Sequence, residues 1–255
     1  MIPLRDNIPS RTVPLVNYAV IALCSLAFFA QLSQQTPGVI AESYGMVPAR
    51  MENPNADIIV QRPATVVDRS GRPRQVIVEK TLAPPGVAPT LTFITCMFLH
   101  GGWMHFLGNM WFLYIFGDNV EDRLGHVGFA LLYLGTGILA GLAHYVTAPG
   151  SQVPTIGASG AIAGIMGAYA WFYPHAKVKA VLPIIILLQV FVVPAPIFLG
   201  IWFLMQTFSG VQSLGATGGG VAWWAHIGGF AAGAVAALLI GRTPLDHGRV
   251  EARRF

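Results

Sequence analysis

Two residues of this chain carry the groups that nucleophilic chemistry requires. Ser159, in Gly157-Ala158-Ser159-Gly160, opens an apolar segment that closes near Tyr173. His226, in Ala225-His226-Ile227-Gly228-Gly229, lies inside a second apolar segment. A hydroxyl becomes a nucleophile when an imidazole takes its proton, and the imidazolium can then protonate a leaving group. A hydroxyl and an imidazole set in apolar segments are unfavourable there unless they find partners. These two can be partners. His105 and Asn109 stand four residues apart, and so on one helical face, bringing N–H donors into an otherwise apolar stretch. Polar groups at such depth usually face a bundle interior and tend to be functional.

The elements that must position these residues are membrane helices. Of the 255 residues 54% are hydrophobic and 10% charged, and the mean hydropathy is +0.60. A soluble domain carries about 25% charged residues, so the composition places the chain among integral membrane proteins. Runs long enough to cross a core of about 30 Å are expected at roughly 14–32, 93–116, 127–146, 156–173, 180–206 and 219–241, an all-α bundle of six transmembrane helices in a single domain, 1–255, with no appended soluble module. The first run exceeds a signal-peptide core of about 7–15 residues and is expected to be retained. Residues 33–92 form a long outside loop in which Ala56-to-Val60 and Val76-Ile77-Val78 are candidate short strands. Pro183, Pro194 and Pro196 predict a bent or broken fifth helix. The Gly- and Ser-rich stretch from Ser209 to Gly220 is a candidate lid, and the short basic tail after Gly241 is expected to fray.

Charge sets the orientation. With the N-terminus cytoplasmic, the inside segments hold Arg5, Arg11, Arg123, Lys177, Lys179, Arg242, Arg249, Arg253 and Arg254, while the short outside loops near 147–155 and 207–218 hold no charge. Both termini are therefore expected inside. The pI near 9.3 reflects basic residues scattered among loops and ends, which points to anionic lipid headgroups rather than nucleic acid. Cys24 and Cys96 fall inside helices, so neither a disulfide framework nor a zinc site is expected. His100 and His105, in His-Gly-Gly-Trp-Met-His, lack an acidic partner and the HExxH spacing, so no metal or cofactor is expected. His126, His144 and His175 read as interfacial, and Trp103, Trp111, Trp223 and Trp224 as packing or interface anchors.

Helix rise brings Ser159 and His226 level. From Ser159 to Tyr173, and again from His226 to Ile240, is 14 residues, about 21 Å at ~1.5 Å per residue. Both lie roughly two-thirds of the way up a core of about 30 Å, on the outer side. Gly157, Gly160, Gly164 and Gly167 beside the serine, and Ala225, Gly229 and Gly233 beside the histidine, form small-xxx-small faces that let two membrane helices approach closely. A lone intramembrane serine is most often a packing residue and a lone histidine often a satisfied structural one. A nucleophile, a base and two donors converging at one depth are a different matter.

Together these residues resemble the rhomboid family of intramembrane serine proteases. The resemblance is carried by Gly157-Ala158-Ser159-Gly160, by Ala225-His226-Ile227-Gly228-Gly229 followed by Gly233, and by His105-Phe106-Leu107-Gly108-Asn109. It covers the chain from about residue 93 to 241, and the helix count and order agree with the basic six-helix bacterial form, which implies a bacterial inner membrane. It also implies a serine–histidine dyad without an acid, with Ser159 as nucleophile and His226 as general base and then general acid. The oxyanion would be held by the Ser159 backbone N–H and the His105 and Asn109 side chains, helped by the dipole at the start of the serine helix. The implied substrates are transmembrane segments of other membrane proteins, cut near the outer face after a small residue.

The sequence departs from the family pattern in three places. Leu91 and Thr92 stand where some members carry a Trp-Arg pair, Ala163 stands where some place an aromatic against the histidine ring, and the first loop is longer than expected. The alternative within the same family is a catalytically inactive rhomboid-like binder of membrane-protein clients, although such relatives usually lack the serine or the histidine. A transporter would need a polar line continuing to the cytoplasm, and a purely structural bundle would not need four polar residues at similar depth.

Overall fold

The computed structural model describes residues 1–241 apart from 37, 55, 69, 185–186 and 214–220. Most of the candidate lid and the basic tail with Arg242, Arg249, Arg253 and Arg254 lie outside the described residues. In chain order the elements are β1 (Ile2–Asp6), α1 (Leu15–Leu32), α2 (Val39–Tyr44), α3 (Ala49–Glu52), β2 (Ile59–Val67), β3 (Pro73–Thr81), α4 (Thr92–Thr95), α5 (Trp103–Thr147), α6 (Ser159–Phe172), β4 (Lys177–Ile184), β5 (Leu187–Pro194), α7 (Ala195–Gln212) and α8 (Trp223–Ile240). Among the described residues α1, α5 and α8 are long and apolar enough to cross a membrane. The chain is a helical membrane protein.

Two antiparallel sheets, β1-β4-β5 and β2-β3, correct the all-α expectation. The larger correction falls on the fifth helix. Where its first half was expected, β4 and β5 pair instead as strands, with Lys177 opposite Pro194 and Val181 opposite Val190. The segment is rich in β-branched residues, which favour a pleated surface, and Pro183 and Pro194 obstruct a helix. Helix α7 starts only at Ala195, with Pro196 in its first turn, where a missing N–H does no harm. The second helix also starts late, at Trp103 rather than 93. Thr92–Phe98 makes only short turns, Leu99 is extended, and Gly102 has φ 154.

Gly125 (φ 70, ψ 170) breaks α5 into two helical arms, which accounts for two apolar runs being read there. Glu121, before the break, binds the start of α1. Its carboxylate accepts the backbone N–H groups of Val16 and Asn17 at 2.9 and 2.7 Å and meets His126 Nδ1 at 2.5 Å. Two of the donors that a helix N-terminus leaves without partners are thereby satisfied.

Between α1 and α4 the chain is folded rather than a bare loop. The β2-β3 hairpin contains the candidate strand Val76–Val78 and extends beyond it on both sides, whereas β2 starts only at Ile59, so of Ala56-to-Val60 only the last two residues are strand. Glu42 organises the segment, accepting from Lys80 Nζ at 2.6 Å and from the Ala83 backbone N–H at 3.0 Å, while Arg50 donates to the Glu42 carbonyl. Burial lowers the Arg50 guanidinium from its ordinary value, and the Glu42 carboxylate counteracts this. Met46 and Thr155 exchange backbone hydrogen bonds at 3.0 and 2.8 Å, joining this segment to the stretch that leads into α6.

Helix α6 is the innermost element. At 14 residues it is about 21 Å long, shorter than a membrane core of about 30 Å, and its first residue lies within the bundle. Gly160 and Gly164 face α5, where a Cβ would run into Ala140 and Thr136. On the other side α8 approaches backbone to backbone. A Cβ on Gly229 would overlap the Gly160 carbonyl oxygen, and one on Gly233 the Gly164 carbonyl oxygen. The pairs 160/229 and 164/233 advance together, so α6 and α8 run parallel and in register.

Candidate active site

Ser159 sits at the first residue of α6 because the chain is held just before it. Thr155 is tied to Met46, and the Gly157 N–H donates to the Cys96 carbonyl at 2.9 Å. The helical ladder opens with the Ile162 N–H donating to Ala158, so the Ser159 N–H is among the donors a helix start leaves free of intrahelical bonds. His226 lies in the first turn of α8, with its N–H bonded to the Ala222 carbonyl at 3.3 Å. The structure brings the two side chains together, His226 Nε2 lying 2.7 Å from Ser159 Oγ. The histidine is buried and the serine half-buried. In the neutral ring, Nε2 without a proton accepts the serine hydroxyl, the arrangement from which a base takes a proton.

His105 and Asn109, on the first arm of α5, supply donors. The Gly101 N–H donates to His105 Nδ1 at 3.2 Å, which leaves Nε2 of the neutral ring to carry the proton. Asn109 is buried and its Nδ2 has no hydrogen-bond partner. Buried amide donors without partners are uncommon, and each calls for an explanation. Gly157 clarifies the geometry. It was expected on the helix-packing face, but it precedes α6, has φ 132, and its open side faces His105. A Cβ there would fall 2.7 Å from His105 Nε2 and 3.5 Å from Ser159 Oγ. Glycine therefore keeps open the space between a hydroxyl and an imidazole N–H.

Ala163 places no aromatic on the histidine ring, but α7 and α8 do. Trp202 lies 5.9 Å from His226, ring centroid to centroid, at 33°, and Trp223 meets it edge-on at 6.1 Å. One residue was not anticipated. Gln206, buried on α7, places Oε1 2.6 Å from His226 Nδ1. The only signal for it in the sequence is an amide in an apolar helix. His100 is also buried, with neither ring nitrogen bonded, edge-on to His105 at 5.3 Å. Among the described residues no three His, Cys, Asp or Glu side chains are grouped to hold a metal ion.

Fold and site together define a helical membrane protein with a hydroxyl–imidazole pair inside its bundle. The Rhomboid domain family model matches residues 89–243, and the chain belongs to the rhomboid family. It is 44% identical over 73 residues to Rhomboid-like protein 11, chloroplastic, of Arabidopsis thaliana, which covers 29% of this chain and 26% of that one. It is 33% identical over 104 residues to Presenilin-associated rhomboid-like protein A, mitochondrial, of Danio rerio, covering 40% and 27%. Against Rhomboid protein 1, mitochondrial, of Saccharomyces cerevisiae it is 30% identical over 149 residues, covering 56% and 40%. The matched stretches thus span well under half the length of these relatives.

Proposed function

We propose that the protein is an intramembrane serine endopeptidase that cleaves transmembrane segments of other membrane proteins. The observation that carries this reading is the 2.7 Å contact between Ser159 Oγ and His226 Nε2 in a rhomboid family member. His226 takes the Ser159 proton as Oγ adds to the scissile carbonyl carbon. The tetrahedral oxyanion is held by the Ser159 N–H, His105 Nε2–H and Asn109 Nδ2–H. His226 then protonates the leaving amine as the C–N bond breaks, which leaves an acyl ester on Ser159. Water, deprotonated by the same imidazole, hydrolyses that ester and restores the hydroxyl.

In this reading the chain is one rhomboid domain that crosses the lipid bilayer six times, by α1, the two arms of α5, α6, α7 and α8. Both termini lie on the cytoplasmic side, as in the bacterial inner membrane, and the site opens near the outer face. The test is the purified protein with a fluorophosphonate probe and a model transmembrane substrate. Labelling at Ser159 together with cleavage is expected. Labelling without cleavage of any transmembrane substrate would replace the protease with a binder of membrane-protein clients.

The role of Asn109 has its own test. Asn109→Ala is expected to lower kcat by roughly 100-fold or more, as loss of one oxyanion donor does. Because Nδ2 has no partner in the resting structure, its removal breaks no hydrogen bond, and the destabilisation expected is below about 1 kcal/mol. Parallel losses of rate and thermal stability would refute the oxyanion role.

A further inference from the structure

The imidazole of His226 makes a second hydrogen bond on the side away from Ser159. Gln206 Oε1 lies 2.6 Å from Nδ1, and an amide oxygen can only accept. The ring proton therefore sits on Nδ1, and Nε2 turns its lone pair to Ser159 Oγ. A ring protonated the other way would have no proton to give Gln206 and no lone pair to offer the serine. Trp202, four residues before Gln206 and so on the same face of α7, lies beside the ring, and Trp223 closes its edge. A 180° flip would lose both hydrogen bonds at once. One face of α7 thus fixes both the plane and the tautomer of the histidine.

We propose that Gln206 is the positioning residue of the base, its side-chain oxygen holding His226 in the tautomer and orientation that activate Ser159. The inference rests on the protease reading and adds a third member to its dyad. An amide suits this position for a physical reason. Gln206 is 8% exposed on an apolar helix, where an ionised carboxylate would carry a large desolvation penalty and a neutral amide a far smaller one. Its contribution is orientation rather than charge.

Two substitutions separate positioning from packing. Gln206→Met keeps the volume and removes the acceptor, whereas Gln206→Glu keeps an accepting oxygen in either protonation state. If Gln206 only packs, an apolar environment favours Met over Glu. Positioning reverses that order. Gln206→Met is expected to lose roughly 10- to 100-fold in kcat, the range seen when an orienting partner is removed or a reacting group is misplaced, with KM little changed. Gln206→Glu is expected to stay well above it. Melting temperatures are measured alongside. Should Gln206→Met fail to fold, Gln206→Asn, whose shorter side chain draws the amide back from Nδ1, takes its place in the same ranking. Gln206→Met, or Gln206→Asn in its place, cleaving at the native rate or faster than Gln206→Glu overturns the inference and leaves the protease standing. If the native chain neither labels at Ser159 nor cleaves, the protease reading falls first and takes this one with it.

Discussion

Ser159→Ala and His226→Ala are each expected to reduce cleavage by roughly four to six orders of magnitude while leaving a folded protein. In the protease reading the nucleophile and its base act as one unit, so removing either forfeits what the other contributes. The double substitution should accordingly be no slower than the slower single one. Additive losses would mean that the two residues do not act in one step. Fluorophosphonate labelling should vanish in Ser159→Ala and fall steeply in His226→Ala, because the hydroxyl is unreactive without a base. Stability should change far less. Ser159→Ala removes the 2.7 Å hydrogen bond at a half-buried residue, a loss of about 1–3 kcal/mol when a buried partner is left unsatisfied. Retained cleavage in both single variants would sink the dyad.

Ser159 and His226 were legible as a pair because helix geometry turns residue counts into depth, and glycines at four-residue spacing mark where backbones can touch. In the structure that seam is a contact of α8 glycines with the Gly160 and Gly164 carbonyls. The counting worked although the helix bounds shifted, since α6 begins at the serine itself and α8 begins three residues before the histidine. Strands β4 and β5 were misread as helix because hydropathy alone does not separate a strand from a helix in a short apolar run. The β-branched residues and prolines there were the better guide. Gln206 could not be found by spacing. It lies 20 residues before His226 on another helix, and only folding brings the two together. Gly157 looked like part of the α6 glycine row, yet it lies before the helix and its φ of 132 turns it toward His105.

Gly233→Leu is expected to be the most damaging substitution away from the reacting groups. A Cβ at Gly233 overlaps the carbonyl oxygen of Gly164 and lies 2.7 Å from its Cα. These are backbone atoms of the innermost helix, with no flexible side chain to swing aside, so α8 itself must move. Overpacking of a well-packed interior costs typically 1–3 kcal/mol, and displacement of a whole helix exceeds that range. A loss above about 4 kcal/mol, exceptional for a point substitution, is expected as a large drop in thermal midpoint in detergent. Gly135→Ala is the control, since a Cβ there meets nothing within 4 Å and alanine suits a helix better than glycine. The seam widened at Gly164 and Gly233 is the one that sets Ser159 against His226, so protein that still folds should also be slow. A displacement of about 1 Å in a reacting pair can cost roughly 100-fold in rate. Native stability and native labelling of Gly233→Leu would show that α6 and α8 do not meet through these glycines, and the registered approach that aligns the serine with the histidine would have to be abandoned.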